Sequence, residues 1–222
     1  MLKPFTRSTF AAPAGEGDLL SEKRRFYFDS RLNSLVVLVS QGHFYVSSSP
    51  VEILSTVLGS CVAVCMRDPV AGCGGMNHFL LPAQRERPDG LPSASLLYGS
   101  YSIERLTNAL IARGAVRQRL EVKVFGGANV LNGTTNFGHA NADFVEAYLS
   151  REGLTIAARS LRGLNARRIR YYPASGRAQV CEVVGGNPAR IAVSETRLAS
   201  ALKLDEDASR VEIFEPRMRV KR

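Results

Sequence analysis

Apolar residues recur along this chain in short runs of strand length, separated by turn-forming residues. Runs of about four to eight such residues, bounded by Gly, Pro, Asn or Asp, are typical of β-strands. Where Leu120, Val122 and Val124 alternate with charged residues, one face of the strand is buried. The pattern predicts strands at 26–28, 35–39, 44–46, 51–66 with an interruption at Gly59-Ser60, 76–81, 120–124, 154–158, 169–172, 178–184 and 190–193.

Two stretches have helical spacing instead. The first covers residues 100–113 and stops at Gly114, with apolar positions at Ile103, Leu106, Leu110 and Ile111. The second has Asn141 as its candidate N-cap and ends at Gly153, with apolar positions at Phe144, Val145, Tyr148 and Leu149. A polar segment with three prolines, residues 82–92, predicts a surface loop before the first helix.

The order of these elements predicts the fold class. Strands come first, then helix, strand and helix, then strands again, which indicates an α/β (α+β) single domain with mixed or antiparallel β-sheets and flanking helices. We expect residues 1–24 to be a flexible N-terminal extension, residues 25–195 the domain, and residues 196–222 a basic C-terminal tail.

The composition is that of an ordinary globular protein and excludes several classes. Of the 222 residues 45% are hydrophobic and 22% charged, so disorder over most of the chain and a collagen-like repeat are excluded. No apolar run approaches the ~20 residues of a membrane span, and no secretory signal is recognisable. We therefore expect a cytoplasmic protein without direct membrane insertion, with its four cysteines as free thiols.

The formal net charge of +9 allows a nucleic acid, an acidic membrane surface or an acidic protein as partner. Much of the excess lies near the two ends of the chain, and a further cluster consists of Arg162, Arg167, Arg168 and Arg170. No RNA-binding aromatic signature or helix-turn-helix pattern accompanies these charges. A nucleic acid is therefore not expected as a partner.

The densest candidate chemistry lies between residues 55 and 82. Cys61 follows Gly59-Ser60, where a sharp turn could give access to the thiol and present backbone N–H groups to an oxyanion. His78 lies at the far end of a plausible hairpin whose turn is formed by Asp68-Pro69 and residues 72–75, and it could hold the cysteine as a thiolate. The competing interpretation is ordinary: a cysteine in an apolar run is usually a small core residue, and a lone histidine is usually structural.

A zinc site is the other possibility, because three cysteines and a histidine fall within 18 residues, at Cys61, Cys65, Cys73 and His78. The spacing is poor for zinc, since the first two are separated by a strand-like Val-Ala-Val rather than a tight turn. We therefore expect no metal and interpret Cys65 as a core residue. Cys73, in the turn, and Cys181, in a strand, are interpreted as structural.

Several motifs together resemble the CheD family of chemoreceptor glutamine deamidases. The segments are TVLGSCVAVCMRDP and GGMNHFLLP, followed by KVFGGANV, FGHANADFV and RRIRYYPASGRAQVCEV. The resemblance covers residues 25–193, most of the chain. FGHAN is a departure, because the family more often has a charged residue where His139 stands, so His139 is not expected to be catalytic.

The resemblance implies a cysteine amidohydrolase that needs no cofactor. Its nucleophile would be Cys61, its base His78, and Gly59 and Ser60 would border the oxyanion and substrate. A threonine just upstream of LGSC orients the histidine in that family. On an extended backbone Ser55 shares the face of Cys61 and Thr56 does not, unless the Gly59 turn resets the phase. Face parity therefore favours Ser55, while residue type favours Thr56. Both remain candidates.

The resemblance also implies partners. The substrates would be the cytoplasmic helices of methyl-accepting chemotaxis receptors, and a chemotaxis phosphatase of the CheC type would be a further partner. Because such receptor helices are generally acidic, the basic surface could steer docking. The alternative is a non-catalytic chemotaxis adaptor of the same fold that binds receptors or the phosphatase without turnover.

Overall fold

The computed structural model describes residues 25–81, 94–130 and 136–183. Ten strands and two α-helices account for most of them, with a short 3₁₀ helix at Arg117–Arg119. In chain order the elements are β1 Arg25–Asp29, β2 Ser34–Leu38, β3 Phe44–Ser47, β4 Glu52–Leu58, β5 Val62–Asp68, β6 Cys73–Asn77, α1 Ala94–Ile111, β7 Glu121–Gly126, α2 Phe137–Arg151, β8 Ile156–Leu161, β9 Arg167–Tyr172 and β10 Arg177–Glu182.

The strands form two five-stranded sheets. The first sheet has the order β1-β2-β4-β9-β10 and the second has the order β3-β6-β5-β7-β8. Each sheet contains one parallel pair, β2 with β4 and β7 with β8, and its other pairs are antiparallel. The predicted fold class, a single α/β domain with mixed sheets and flanking helices, is confirmed.

Two hydrophobic cores divide the domain into three layers. The inter-sheet core lies between the two sheets, and the helix-side core lies between the second sheet and the helices α1 and α2. Strand β5 supplies both, because Val62, Val64 and Met66 face the helices while Ala63 and Cys65 face the first sheet. A strand covered on both faces explains the unbroken apolar run at this point of the sequence.

Both helices begin earlier than their sequence pattern predicted. Helix α1 starts at Ala94 rather than residue 100, and α2 starts at Phe137 rather than after Asn141. The N-cap position of α2 is Asn136, and Asn141 lies buried inside the helix. The prediction that Asn141 caps the helix was wrong, because its side chain is committed to contacts with other segments. Neither helix in the described part of the chain is long and apolar enough to cross a bilayer.

Strand β6 also differs from the prediction. It spans Cys73–Asn77 rather than 76–81, so Cys73, Gly74 and Gly75 belong to a strand and not to a turn. A Cβ on Gly74 would lie 2.7 Å from the Pro173 carbonyl oxygen, and one on Gly75 would lie 2.7 Å from Leu106 Cδ1. These glycines therefore let the neighbouring backbone and α1 approach the strand closely. In the sequence alone, glycines with this role look like the glycines of a turn, and for this reason the start of β6 was placed too late.

The true turn between β5 and β6 is held by Asp68. Its buried carboxylate accepts hydrogen bonds from the backbone N–H groups of Val70 (2.9 Å), Ala71 (3.1 Å) and Val116 (2.8 Å), and it forms an ion pair with Arg119 at 2.7 Å. The hydrogen bond from Arg119 is the main cause that lowers the pKa of Asp68; the backbone donors add to it, while burial opposes it. This turn reverses the chain between Cys61 and His78.

Several expectations lie outside the described residues. These are the N-terminal extension at 1–24, the loop predicted at 82–92, the strand predicted at 190–193 and the basic tail at 196–222.

Candidate functional site

His78 directly follows β6, and hydrogen bonds hold both its backbone and its side chain in place. Its N–H donates to the carbonyl of His43 at 3.0 Å, and its own carbonyl accepts from the N–H of Gly42 at 2.7 Å. Its imidazole Nδ1 lies 2.8 Å from the hydroxyl oxygen of Thr56 and 3.3 Å from the carbonyl oxygen of Val39. The ring is therefore oriented by β4 and by the end of β2, both in the first sheet.

The partners of Nδ1 determine which ring nitrogen carries the proton. The hydroxyl of Thr56 donates its single hydrogen to the carbonyl of Val39 at 2.9 Å. The oxygen of Thr56 then acts as an acceptor toward His78, as does the Val39 carbonyl. Both oxygens require a hydrogen on Nδ1, so the neutral imidazole carries its proton there and its lone pair is on Nε2.

Ser55 lies on the opposite face of β4. Its hydroxyl donates to the carbonyl of Ile169 at 3.0 Å, and it makes this contact inside the first sheet. Face parity favours Ser55 only if one strand continues through Gly59-Ser60. The chain instead passes there from β4 of the first sheet to β5 of the second, so the parity of β4 does not carry over to Cys61. The structure brings Thr56, and not Ser55, to His78.

Cys61 lies directly before β5 and is fully buried in the inter-sheet core. The next residue, Val62, exchanges two backbone hydrogen bonds of 2.9 Å with Phe79. In that antiparallel register Cys61 faces Leu80, and His78 is its diagonal neighbour on the same face. The hairpin thus puts the cysteine and the histidine on one face of the second sheet.

A Gly-Gly turn after β7 lies against the backbone of Cys61. Gly126 has φ +109° and Gly127 has φ +66°, values that favour glycine. A Cβ on Gly126 would lie only 2.1 Å from the carbonyl oxygen of Cys61. The turn donates from Gly127 N–H to that carbonyl and from Ala128 N–H to the carbonyl of Gly59, both at 2.8 Å. The FGGA motif is therefore a support for the cysteine-bearing segment.

Asn141 supports the same segment from α2. Its amide donates to the carbonyl of Ser60 at 3.1 Å, and its oxygen accepts from the N–H of Leu81 at 2.7 Å. A trans peptide directs each carbonyl opposite to the following N–H. Anchoring the carbonyls of Gly59 and Ser60 therefore fixes the directions of the Ser60 and Cys61 N–H groups, away from the Gly-Gly turn and from Asn141.

Two buried asparagines adjoin the site although the sequence pattern assigns them no part in it: Asn141, predicted as a cap, and Asn77, which lies within GGMNHFLLP. Asn77 is fully buried and bonds to β5 and α1. The available signal is an uncharged polar residue in a segment with apolar neighbours, since such a residue must find hydrogen-bond partners when buried. Tyr98 of α1 also lies near Cys61. Burial is the main cause that raises the pKa of the Tyr98 hydroxyl, and the nearby Cys61 adds to it.

The other cysteines lie in different surroundings. Cys65 is buried in the inter-sheet core, and burial raises the pKa of its thiol against the opposing effect of Lys123. Cys73 is in the helix-side core, on the opposite face of the second sheet from Cys61 and Cys65, so the four residues of the zinc hypothesis do not converge. Cys181 is exposed on β10, which does not fit a structural role. Across the described residues no three His, Cys, Asp or Glu side chains are grouped to hold a metal ion.

The protein is thus a three-layer α/β domain in which a cysteine, a histidine and a hydroxyl lie beside a tightly supported backbone turn. These groups are the constituents of a cysteine hydrolase site. A family model described as CheD chemotactic sensory transduction matches residues 80–182. A protein of Rhodopseudomonas palustris named "Probable chemoreceptor glutamine deamidase CheD" is 46% identical over 202 residues, 91% of this chain and 94% of its own. The chain belongs to the CheD family.

Other relatives carry the same name. One from Caulobacter sp. is 47% identical over 66% of this chain and 77% of its own, and one from Bordetella parapertussis is 43% identical over 86% of this chain and 92% of its own. Among solved structures, the Bacillus licheniformis hypothetical protein YfiH is 12% identical, with a TM-score of 0.35 over 53% of this chain and 49% of its own. That similarity is too low to bear on the site.

Proposed function

We propose that this protein is a chemoreceptor glutamine deamidase that uses Cys61 as nucleophile, His78 as general base and acid, and Thr56 to orient the histidine. The observation that carries the proposal is the 2.8 Å contact between Thr56 and Nδ1 of His78, on the face that Cys61 shares, in a chain of the CheD family. Relatives of this chain are named as chemoreceptor glutamine deamidases.

The first half of the reaction forms a thioester. With Nδ1 protonated, Nε2 of His78 is the nitrogen that can take the proton of the Cys61 thiol. The thiolate attacks the side-chain amide carbon of a glutamine, and the carbonyl oxygen becomes an oxyanion. The imidazolium then protonates the amide nitrogen, the C–N bond breaks, and ammonia leaves.

The second half returns the enzyme to its starting state. Water loses a proton to Nε2 of His78 and attacks the thioester carbon. The C–S bond breaks, and the leaving Cys61 thiolate takes the proton back from Nε2 of His78. The product is a carboxylic acid that loses its proton to solvent and becomes a glutamate side chain. In both halves Thr56 and the Val39 carbonyl accept the Nδ1 hydrogen, and this stabilises the imidazolium in the same way as the orienting group of other catalytic triads.

In this proposal the backbone N–H groups around Ser60 and Cys61 donate hydrogen bonds to the oxyanion. Their directions are set by the bonds that anchor the preceding carbonyls, from Ala128 to Gly59 and from Asn141 to Ser60. Donors that are fixed before the reaction lower the barrier because they need no reorganisation as charge develops. Gly59 lies where the chain passes from β4 of one sheet to β5 of the other, and its carbonyl is one of these two anchors.

The substrates in this proposal are glutamines on the cytoplasmic helices of chemoreceptors, so the protein works in the cytoplasm. Conversion of an amide to a carboxylate changes the charge of a receptor helix and creates a methylatable glutamate. A chemotaxis phosphatase of the CheC type remains a proposed second partner. No metal or organic cofactor enters the proposed reaction.

The test is ammonia release from a purified receptor cytoplasmic fragment, with mass spectrometry to locate glutamines converted to glutamate. We expect conversion by the wild-type protein and none by Cys61→Ala or His78→Gln. Conversion by Cys61→Ala would refute the nucleophile. If neither the wild-type protein nor Cys61→Ala converts the fragment while both bind it, the adaptor alternative replaces the enzyme.

A further inference from the structure

Asn77 interrupts the β5–β6 ladder beside the histidine. The antiparallel pairing runs from Asp68 with Cys73 to Cys65 with Met76, and the same register resumes at the isolated bridge between Val62 and Phe79. Two facing pairs lie between them, Val64 with Asn77 and Ala63 with His78. The N–H of Val64 donates to the side-chain oxygen of Asn77, at 2.8 Å.

The interruption follows the regular alternation of an antiparallel ladder. Val62 and Phe79 exchange both of their backbone hydrogen bonds, and residues two positions further along should do the same. Val64 and Asn77 are two positions further. The side-chain oxygen of Asn77 therefore takes the Val64 N–H, the donor that a regular ladder would pair with the Asn77 carbonyl, and β6 ends at this residue.

The other end of the Asn77 side chain reaches α1. Its amide nitrogen donates to the hydroxyl of Ser102 at 3.2 Å. Asn77 is fully buried, so each of these bonds replaces one that water would make in the unfolded chain. One side chain at the end of β6 thus bonds both to β5 and to the first helix.

His78 is the next residue, and its position depends on these bonds. Its backbone is bound on the far side to Gly42 and His43, and its imidazole reaches Thr56 in the other sheet. If β6 closed onto β5 at Asn77, the backbone of His78 would be drawn away from both partners. A displacement of about 1 Å in a catalytic group can cost roughly 10²-fold in rate.

We infer that Asn77 is a positioning residue for the base: by bonding to β5 at the end of β6 it directs the His78 imidazole onto Thr56, and it couples that orientation to α1 through Ser102. The inference rests on the proposed function for its effect on catalysis. The orientation of the ring itself is a separate quantity that can be measured without substrate.

The experiment compares Asn77→Ala and Ser102→Ala with Thr107→Val. Thr107 is a buried residue of the same helix whose hydroxyl bonds to the Ile103 carbonyl at 3.0 Å, so its variant controls for loss of a buried polar group in α1. The chain has three histidines, so the ¹⁵N signals of the His78 ring can be assigned with a His78→Gln variant. Those signals report the tautomer and the titration of the ring across pH.

We expect Asn77→Ala to lower the population of the Nδ1-protonated tautomer of His78, to shift its titration midpoint, and to lower kcat on the receptor fragment by about 10- to 100-fold with little change in KM. Ser102→Ala should move the ring signals in the same direction by less, and Thr107→Val should leave them unchanged. If Asn77→Ala does not fold, Ser102→Ala carries the test.

The two proposals fail in different ways. Unchanged His78 signals and an unchanged pH profile of kcat/KM in Asn77→Ala and Ser102→Ala would overturn the role of Asn77, even with a fully active wild type. A wild type that does not deamidate would overturn the proposed function, and the ring signals would still decide the role of Asn77.

Discussion

The hydroxyl of Thr56 and the imidazole of His78 meet across the interface of the two sheets, at 2.8 Å. Thr56 belongs to the central strand of the first sheet, and His78 directly follows β6 of the second. Because the same hydroxyl donates to the Val39 carbonyl, this contact fixes both the position and the tautomer of the histidine. The packing of one sheet on the other is thus a condition for the geometry of the site.

Substitutions at Thr56 and at Ser55 should have different effects, the first on the orientation of the histidine and the second on the stability of the fold. Thr56→Val keeps the shape and removes the acceptor for Nδ1, so we expect kcat to fall roughly 10²-fold, with recovery of most activity in Thr56→Ser. Ser55→Ala should retain activity and instead lose about 1 kcal/mol of unfolding free energy, because the Ile169 carbonyl loses its hydroxyl donor. Deamidation kinetics and urea unfolding of the three variants provide the check. Normal kcat in Thr56→Val would rule out the proposed role.

The sequence already contained the order of the elements and the hairpin that puts Cys61 and His78 on one face, because both depend on local patterns: strand-length apolar runs, helical spacing and a hairpin turn. The choice between Ser55 and Thr56 could not be made in this way. It depends on the chain passing from one sheet to the other at Gly59-Ser60, and this resets which side chains face the site.

The roles of the buried asparagines were also beyond the sequence. Asn141 contacts Ser60 across 81 positions of the chain, and Asn77 bonds to Ser102 on a helix whose start the pattern placed too late. Such bonds depend on how layers pack, a property that local propensity does not encode. The same holds for Gly74 and Gly75, which resemble turn residues until the strand and its close neighbours are seen together.

Gly126 should tolerate no side chain. Gly126→Ala places a Cβ 2.1 Å from the Cys61 carbonyl oxygen and also strains a backbone at φ +109°. Gly114→Ala is the matched control, since φ is +88° there and the added Cβ meets nothing within 4 Å. The control should lose only the cost of the left-handed backbone, about 1–2 kcal/mol, and keep its activity.

We expect Gly126→Ala to lose more unfolding free energy than Gly114→Ala and, where it folds, to lose deamidation as well, because the Cys61 backbone must move. Thermal unfolding and ammonia release measure the two effects. Equal losses in both variants would show that the Gly-Gly turn does not constrain the cysteine.

Asn141 should matter for stability and activity together. Asn141→Ala leaves the Leu81 N–H and the Ser60 carbonyl without their side-chain partner, and a buried unsatisfied group costs about 1–3 kcal/mol. Asn108→Ala, at an exposed position of α1, should stay within about 0.5 kcal/mol of wild type. Chemical denaturation gives the comparison. An Asn141→Ala variant as stable and active as Asn108→Ala would contradict the support assigned to α2.

Docking of an acidic receptor helix to this protein should depend on ionic strength. The chain carries a formal charge of +9, and attraction between opposite charges at long range is screened as salt rises. We expect kcat/KM on the receptor fragment to fall steeply between low and physiological salt, with kcat at saturating substrate nearly unchanged. A flat response of kcat/KM would show that charge does not steer the encounter.

Asp68 should make the stability of the domain sensitive to acid. The Arg119 guanidinium, followed by the backbone donors of the turn, holds the pKa of Asp68 below its unfolded value of about 3.9. A carboxylate with a lowered folded pKa stabilises the native state fully above the unfolded pKa, and this contribution is lost as pH falls through the folded pKa. Asp68→Asn removes the charge and leaves a single acceptor oxygen. We therefore expect wild type to have the higher melting temperature at neutral pH, and the difference to shrink steadily as the solution is acidified below about pH 4. Thermal unfolding of both proteins across that range measures the effect; a difference that is constant with pH would mean that the ionised form of Asp68 is not what holds the turn between β5 and β6.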